Sequence, residues 1–256
     1  AACGGGSEAP AAGSGSAAPA AAAGGQKAGG QKIDPATTGD LKGVITINGK
    51  APENAPVKMN ADPICVRQAQ GPQFQETYKV AADGKSLGNV FVYVKDGLGN
   101  YIYDAPAGAV TLNQEGCHYI PHVFGIRVGQ TLEILNSDPT LHNIHGMPKD
   151  NQEFNQGQPI QGMKTTHVFT KKEVLVPFKC DVHGWMNAYV GVMDHPFFAV
   201  SDADGRFEIK GLPAGTYTIE AIHEKLGAVT QTVTIAAKDS KELNFTLDVS
   251  KVAATN

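Results

Sequence analysis

Cys180-Asp181-Val182-His183-Gly184-Trp185-Met186 sets a thiol, an imidazole and a thioether on seven consecutive residues. Upstream, Asn136-Ser137-Asp138-Pro139-Thr140-Leu141-His142-Asn143 can supply a second imidazole. Two His, one Cys and a weaker Met suit an ion that cycles between Cu(I) and Cu(II). The soft sulfurs favour Cu(I), the imidazoles tolerate both states, and a fixed geometry limits rearrangement when the electron moves. The runs on either side of these ligands are extended. Thr131-Leu132-Glu133-Ile134-Leu135-Asn136 alternates apolar and polar residues, as does Glu173-Val174-Leu175-Val176-Pro177-Phe178, and Tyr189-Val190-Gly191-Val192-Met193 follows the loop.

Further out the β pattern continues. Val44-Ile45-Thr46-Ile47 runs into Asn48-Gly49, and Asn89-Val90-Phe91-Val92-Tyr93-Val94 ends at Asp96-Gly97. Asp83-Gly84 and Asp204-Gly205 are further turn pairs. No stretch of ten or more residues carries a convincing helical stripe. Residues 149–163, rich in Gln, Asn and Gly, are read as one short helix or an irregular loop. Many short strands between turn signals predict an all-β chain of Greek-key sandwiches.

The segment from Gly129 through His142-Asn143, with Cys180-x-x-His183 downstream, strongly resembles the cupredoxin (plastocyanin-like blue-copper) family over residues 85–195. The resemblance implies a Greek-key sandwich in which His142, Cys180 and His183 bind one copper ion and Asn143 braces the ligand loops. Two residues separate His183 from Met186, where plastocyanins have four. Met186 is still the expected axial ligand, ahead of Met193 on the next strand. No second Cys lies in the loop, so a mononuclear site is expected. The resemblance also implies a His183 edge that projects through an apolar docking patch, here formed by Gly184, Trp185, Met147 and Pro148. Trp185 reads equally well as core packing. A zinc site or plain core residues remain the bland alternative; zinc gives no reason for a Met.

After residue 197 the texture changes. Asp204-Gly205-Arg206-Phe207 and Gly211-Leu212-Pro213-Ala214-Gly215-Thr216-Tyr217 resemble the carboxypeptidase regulatory-like (transthyretin-like) domain, which implies a small second β-sandwich, usually without catalytic residues. The expected organisation is a tether at residues 1–37, a cupredoxin domain at 38–197, a regulatory-like sandwich at 198–249 and a tail at 250–256. The strand from Gly43 to Lys50 can join either sandwich.

Residues 1–37 are nearly all Ala, Gly, Ser, Pro and Gln, with too little apolar surface to offset the entropy of ordering, and read as a disordered, flexible tether. Ala1-Ala2-Cys3-Gly4-Gly5-Gly6-Ser7 looks like the end of a bacterial lipoprotein signal peptide, with Cys3 the lipidated residue. That places the protein on the periplasmic or extracellular side of a membrane, held by a lipid anchor. In such a compartment disulfides persist. Cys65 and Cys117 then make a natural pair, adding ~4 kcal/mol less any strain, and the leftover Cys180 needs a reason such as metal ligation. The net charge of −4 leaves no footprint for nucleic acid, and no run of ~18 apolar residues spans a bilayer.

These readings converge on an electron carrier, not an enzyme, passing single electrons between respiratory components such as a c-type cytochrome or a membrane complex. The rivals are a periplasmic copper chaperone or store, and a copper oxidoreductase with a second metal held by His118, His122 or His145. His145 is otherwise read as a neighbour of the site, and His167, His195 and His223 as structural. An adhesion or polysaccharide-binding role lacks an aromatic platform.

Overall fold

The computed structural model describes residues 29–250; Cys3 and nearly all of the 250–256 tail lie outside them. The described chain is almost entirely β, with one α-helix, Pro63–Gln68. Among the described residues no helix is long and apolar enough to cross a membrane.

The ligand-bearing half is a sandwich of two mixed sheets. One has the order Phe154–Gln158, His142–Gly146, Glu173–Lys179, Asn187–Met193, Val123–Arg127. The other runs Lys164–Val168, Thr131–Asn136, Val110–Glu115, His118–Ile120. The alternation seen in the sequence is used directly: Leu132 and Ile134 point into a core with Leu112, Phe124, Ile144, Phe178 and Val190. Cys180 and Met186 belong to that same core, whereas Met193 packs in a separate cluster with Phe91 and Tyr93.

The second sandwich is not confined to the C-terminal residues. Thr38–Asn48 pairs antiparallel with Arg206–Pro213 and parallel with Ser240–Glu242 and Phe245–Asp248. Phe91–Asp96, expected in the first domain, pairs with Phe198–Val200 and Gly215–His223. The ligand-bearing sandwich is thus spliced between strands of the other, and strand pairing does not follow a linear division at residue 197. The reason lies in the run from Phe91 to Val94, which is buried throughout. Val92 and Val94 enter the core of the second sandwich, while Phe91 and Tyr93 enter the cluster between the two sandwiches. Buried on both faces, this strand has its place in the middle of the molecule.

Three local expectations are corrected. Residues 149–163 contain the strand Phe154–Gln158 and no helix, because Gln158 is buried and bonded to the backbone of Ile134. The helix falls instead at Pro63–Gln68, where the Asp62 side chain accepts from Ile64 N–H and Cys65 N–H and proline starts the first turn. The presumed tether is ordered in its last residues: Gln31–Lys32 pairs with Tyr101–Ile102.

The two sandwiches approach closely at glycines. A Cβ at Gly191 would lie 2.2 Å from Phe91 Cζ, and one at Gly125 would lie 2.3 Å from Phe198 Cε2. Neither ring can slide away, because the two stack on one another with centroids 5.7 Å apart. Gly191→Val should therefore cost about 1–3 kcal/mol of overpacking, measured by urea unfolding. Gly157→Ala, where an added Cβ meets nothing within 4 Å, should be close to neutral, and equal effects from the two would contradict this account of the junction.

Candidate metal centre

The strand His142–Gly146 lies beside Glu173–Lys179 in the same sheet, with His145 opposite Lys179. Cys180 follows Lys179 directly, so the first imidazole and the thiol come together at the end of two neighbouring strands. The chain then turns tightly. Met186 N–H donates to His183 O, and Cys180 N–H donates to Met186 O. Asn143 binds the two ligand segments together: its side-chain oxygen accepts from Asp181 N–H at 2.7 Å and lies 3.2 Å from Cys180 Sγ. Tyr119 donates its hydroxyl to the carbonyl of the same Asn143.

One ligand atom each from His142, Cys180 and His183 lie within 4.8 Å of one another. The Nδ1 atoms of the two imidazoles face each other at 2.9 Å, and His183 Nδ1 is 3.9 Å from Cys180 Sγ. The group is closed off from solvent, with relative exposures of 0% for His142, 1% for Cys180, 2% for His183 and 1% for Met186.

Both imidazoles turn their outer nitrogens to carboxylates. His142 Nε2 lies 2.8 Å from Asp138 Oδ2, and His183 Nε2 lies 3.1 Å from Asp62 Oδ2. A carboxylate only accepts, so each Nε2 carries the hydrogen and each Nδ1 is left with a lone pair. Two lone pairs 2.9 Å apart repel unless a proton or a cation lies between them, and a metal ion beside a thiolate meets that requirement. The donors present, two imidazole nitrogens and a thiol with a buried thioether in the same loop, fit copper.

Charge on the site is shaped by these contacts. Burial alone would push the Cys180 thiol up, but contacts with the His142 and His183 rings, which favour the thiolate when a proton lies on a facing Nδ1, and with the backbone of Asn143 and His183 outweigh it and bring it down to about 6. Burial would also lower His142; its bond to Asp138 prevails and leaves it raised. Asp62 is lowered to about 2: burial opposes this, while bonds from Thr140, the backbone of Ile64 and His183 drive it.

Several expected neighbours are placed differently. The His183 edge does not project through a docking patch. Residues 55–75 form a strap closed at its base by Val57 N–H to Gln73 O and Gln75 N–H to Ala55 O, and its helix lies over His183. Cys65, in that helix, is joined to Cys117 by a disulfide, and its Sγ is 3.8 Å from His183 Nε2. Trp185 is half-buried; its ring lies 5.0 Å from that of His183 and its Nε1–H donates to Cys117 O. His145 sits between Asp181 and Glu153. His118 bonds Gly116 O, and His122 bonds Asn187 O and Glu224; none of the three joins the His142–Cys180–His183 group. His195 and His223 bond the backbone carbonyls of Val94 and Thr77, and His167 stacks on Phe154. Asp62 and Asp138 were not singled out in the sequence. Asp138 had a local signal, four residues before His142; Asp62 had none.

The carboxypeptidase regulatory-like domain family matches residues 187–248, beginning with the last strand of the ligand-bearing sandwich. No curated protein matches the chain. Among solved structures, a Cu-containing nitrite reductase from Thermus scotoductus SA-01 is similar at 21% identity, over 39% of this chain and 26% of that one, with a TM-score of 0.33. The chain thus spans about a quarter of that enzyme. A purple cupredoxin from Nitrosopumilus maritimus is similar at 24% identity, over 34% of this chain and 99% of that one, with a TM-score of 0.29. A Cu(I) amicyanin mutant is similar at 20% identity, over 34% and 85%, with a TM-score of 0.31.

In the metal-free protein the ultraviolet absorption of the Cys180 thiolate should appear with a midpoint near pH 6. The folded-state value lies below the ordinary 9.0, so folding favours the thiolate, and the group protonates only as pH falls through about 6. Copper affinity should fall in the same range, because the ligand must be deprotonated. A midpoint near 9, or a titration that survives Cys180→Ser, would contradict the assignment.

Proposed function

We propose that the chain is a mononuclear copper electron-transfer protein of the type 1 class, in which His142, Cys180, His183 and Met186 would hold the ion. The observation that carries this reading is the convergence of two Nδ1 lone pairs and one acidified thiol in a closed pocket, each imidazole held from behind by a carboxylate. Bound copper supplies one-electron Cu(I)/Cu(II) chemistry; the protein supplies the frame. Asn143 holds the loop of Cys180 against the strand of His142. The His183 N–H, 3.3 Å from Cys180 Sγ, donates to the sulfur and favours its anionic form. Asp62 and Asp138 keep the rings in one tautomer and orientation.

A site this enclosed suits a carrier that retains its metal better than a chaperone that hands it on. The protein is proposed to be exported, because the Cys65–Cys117 disulfide fits an oxidising compartment, and further proposed to be anchored through Cys3 and engaged with redox partners such as a c-type cytochrome or a membrane respiratory complex.

Copper titration with optical and EPR spectra decides the matter. Wild type should bind one copper per chain and show an intense sulfur-to-copper charge-transfer band. Cys180→Ser should abolish that band and His142→Ala should abolish or strongly shift it. Two coppers per chain would favour the oxidoreductase alternative, and persistence of the band in Cys180→Ser would exclude the proposed ligand set.

A further inference from the structure

The two carboxylates behind the imidazoles share one covalent anchor. Asp62 Oδ1 accepts from Ile64 N–H at 2.7 Å and from Cys65 N–H at 3.4 Å. Asp138 accepts from Gly116 N–H and Cys117 N–H, both at 2.8 Å. Cys65 and Cys117 are the two halves of the disulfide. Each half-cystine therefore presents its backbone N–H to one carboxylate, and each carboxylate presents its other contact to one imidazole.

The two arms differ in what they need. Asp138 lies on the loop leading to His142 and stays beside it by chain connectivity. Asp62 is 121 residues from His183 in sequence and reaches it only because the strap is folded back and the disulfide pins its helix. Thr140 adds a second tie, donating its hydroxyl to Asp62 Oδ2 at 2.7 Å. The Asp62 carboxylate is only 15% exposed, so water screens its charge weakly.

We propose that Asp62, pinned by the Cys65–Cys117 disulfide, is a positioning residue for His183: it fixes the ring with Nδ1 turned toward Cys180, and its negative charge favours the more positive, oxidised state of the site and so lowers the reduction potential. This rests on the copper reading above for the potential, and on the geometry alone for the ring. A carboxylate behind a ligand imidazole raises the basicity of that ligand. Its charge acts on the two oxidation states unequally, whereas a neutral amide of the same shape loses the charge and, with one oxygen in place of two, cannot accept at both ends.

Two readouts on Asp62→Asn and Asp62→Ala address the two effects: ring-nitrogen spectra read the positioning and the potential reads the charge. Asparagine caps a helix as well as aspartate does, so the first variant retains the strap; near-ultraviolet circular dichroism checks this. In metal-free protein, ring-nitrogen NMR should show His183 with hydrogen on Nε2 in wild type and a shift of that hydrogen toward Nδ1 in Asp62→Ala and in Asp62→Asn, whose NH2 faces Nε2 once its oxygen caps the helix. In copper-loaded protein, voltammetry should show Asp62→Asn shifted upward, so that at the wild-type midpoint its reduced form exceeds its oxidised form about tenfold, or ~59 mV for one electron. Asp204→Asn, which removes an exposed carboxylate of the second sandwich, should leave the midpoint where it was. An unshifted potential in Asp62→Asn, or an unchanged His183 tautomer in Asp62→Ala, overturns the proposal. If wild type takes up no copper, the proposed function fails on its own, and the ring-nitrogen spectra still decide whether Asp62 positions His183.

Discussion

One side-chain amide holds the site together. No disulfide ties the segment of His142 to that of Cys180, and a loop bearing three donors in seven residues has many ways to miss a partner 38 residues away. Asn143 removes that freedom by accepting from Asp181 N–H while contacting the Cys180 sulfur. Its own carbonyl takes the Tyr119 hydroxyl from the opposite sheet, so the strand end, the ligand loop and the second layer are tied at one residue. The turn bonds within residues 180–186 then carry His183 and Met186 into place.

A rigid platform lies beneath this arrangement. Phe91–Asp96 serves two cores at once, with valines on one face and aromatic rings on the other. Gly191 and Gly125 let the strands behind the ligand loop settle directly on Phe91 and Phe198. The ligand-bearing sandwich enters and leaves the second sandwich through paired strands, and the two are joined by packed apolar surface, not by a linker. This resists the relative motion that a transient polar interface would allow. For the proposed task of holding one geometry across two oxidation states, that stiffness is an asset.

The strap changes what the centre shows to its surroundings. An imidazole edge expected at the surface is covered by a helix, a disulfide and a carboxylate, and the neighbouring aromatic ring that reaches toward solvent is Trp185. Enclosure of this kind lowers the local dielectric and strengthens each hydrogen bond to the sulfur and to the rings. It also makes the unpaired loss of any one partner costly.

Much of this was legible in the linear chain. The Cys180–Met186 loop, His142-Asn143 and the alternation of Leu132 and Ile134 are local patterns, and local spacing dictates which side chains share a face or a turn. The pairing of Cys65 with Cys117 followed from compartment and from the chemistry that leaves Cys180 unpaired. What remained hidden depended on distance along the chain. Asp62 meets His183 across 121 residues, from a six-residue helix too short to declare a period. Thr38–Asn48 finds its partners about 200 residues away, as the bond from Val44 N–H to Asn244 shows. By itself the sequence determined the β character and the candidate donors His142, Cys180 and His183, which the fold brings together. Tertiary structure alone decided which sandwich each shared strand joined and which carboxylates stand behind the imidazoles, because those contacts are selected by the burial of whole faces and leave no periodic trace in the residues that make them.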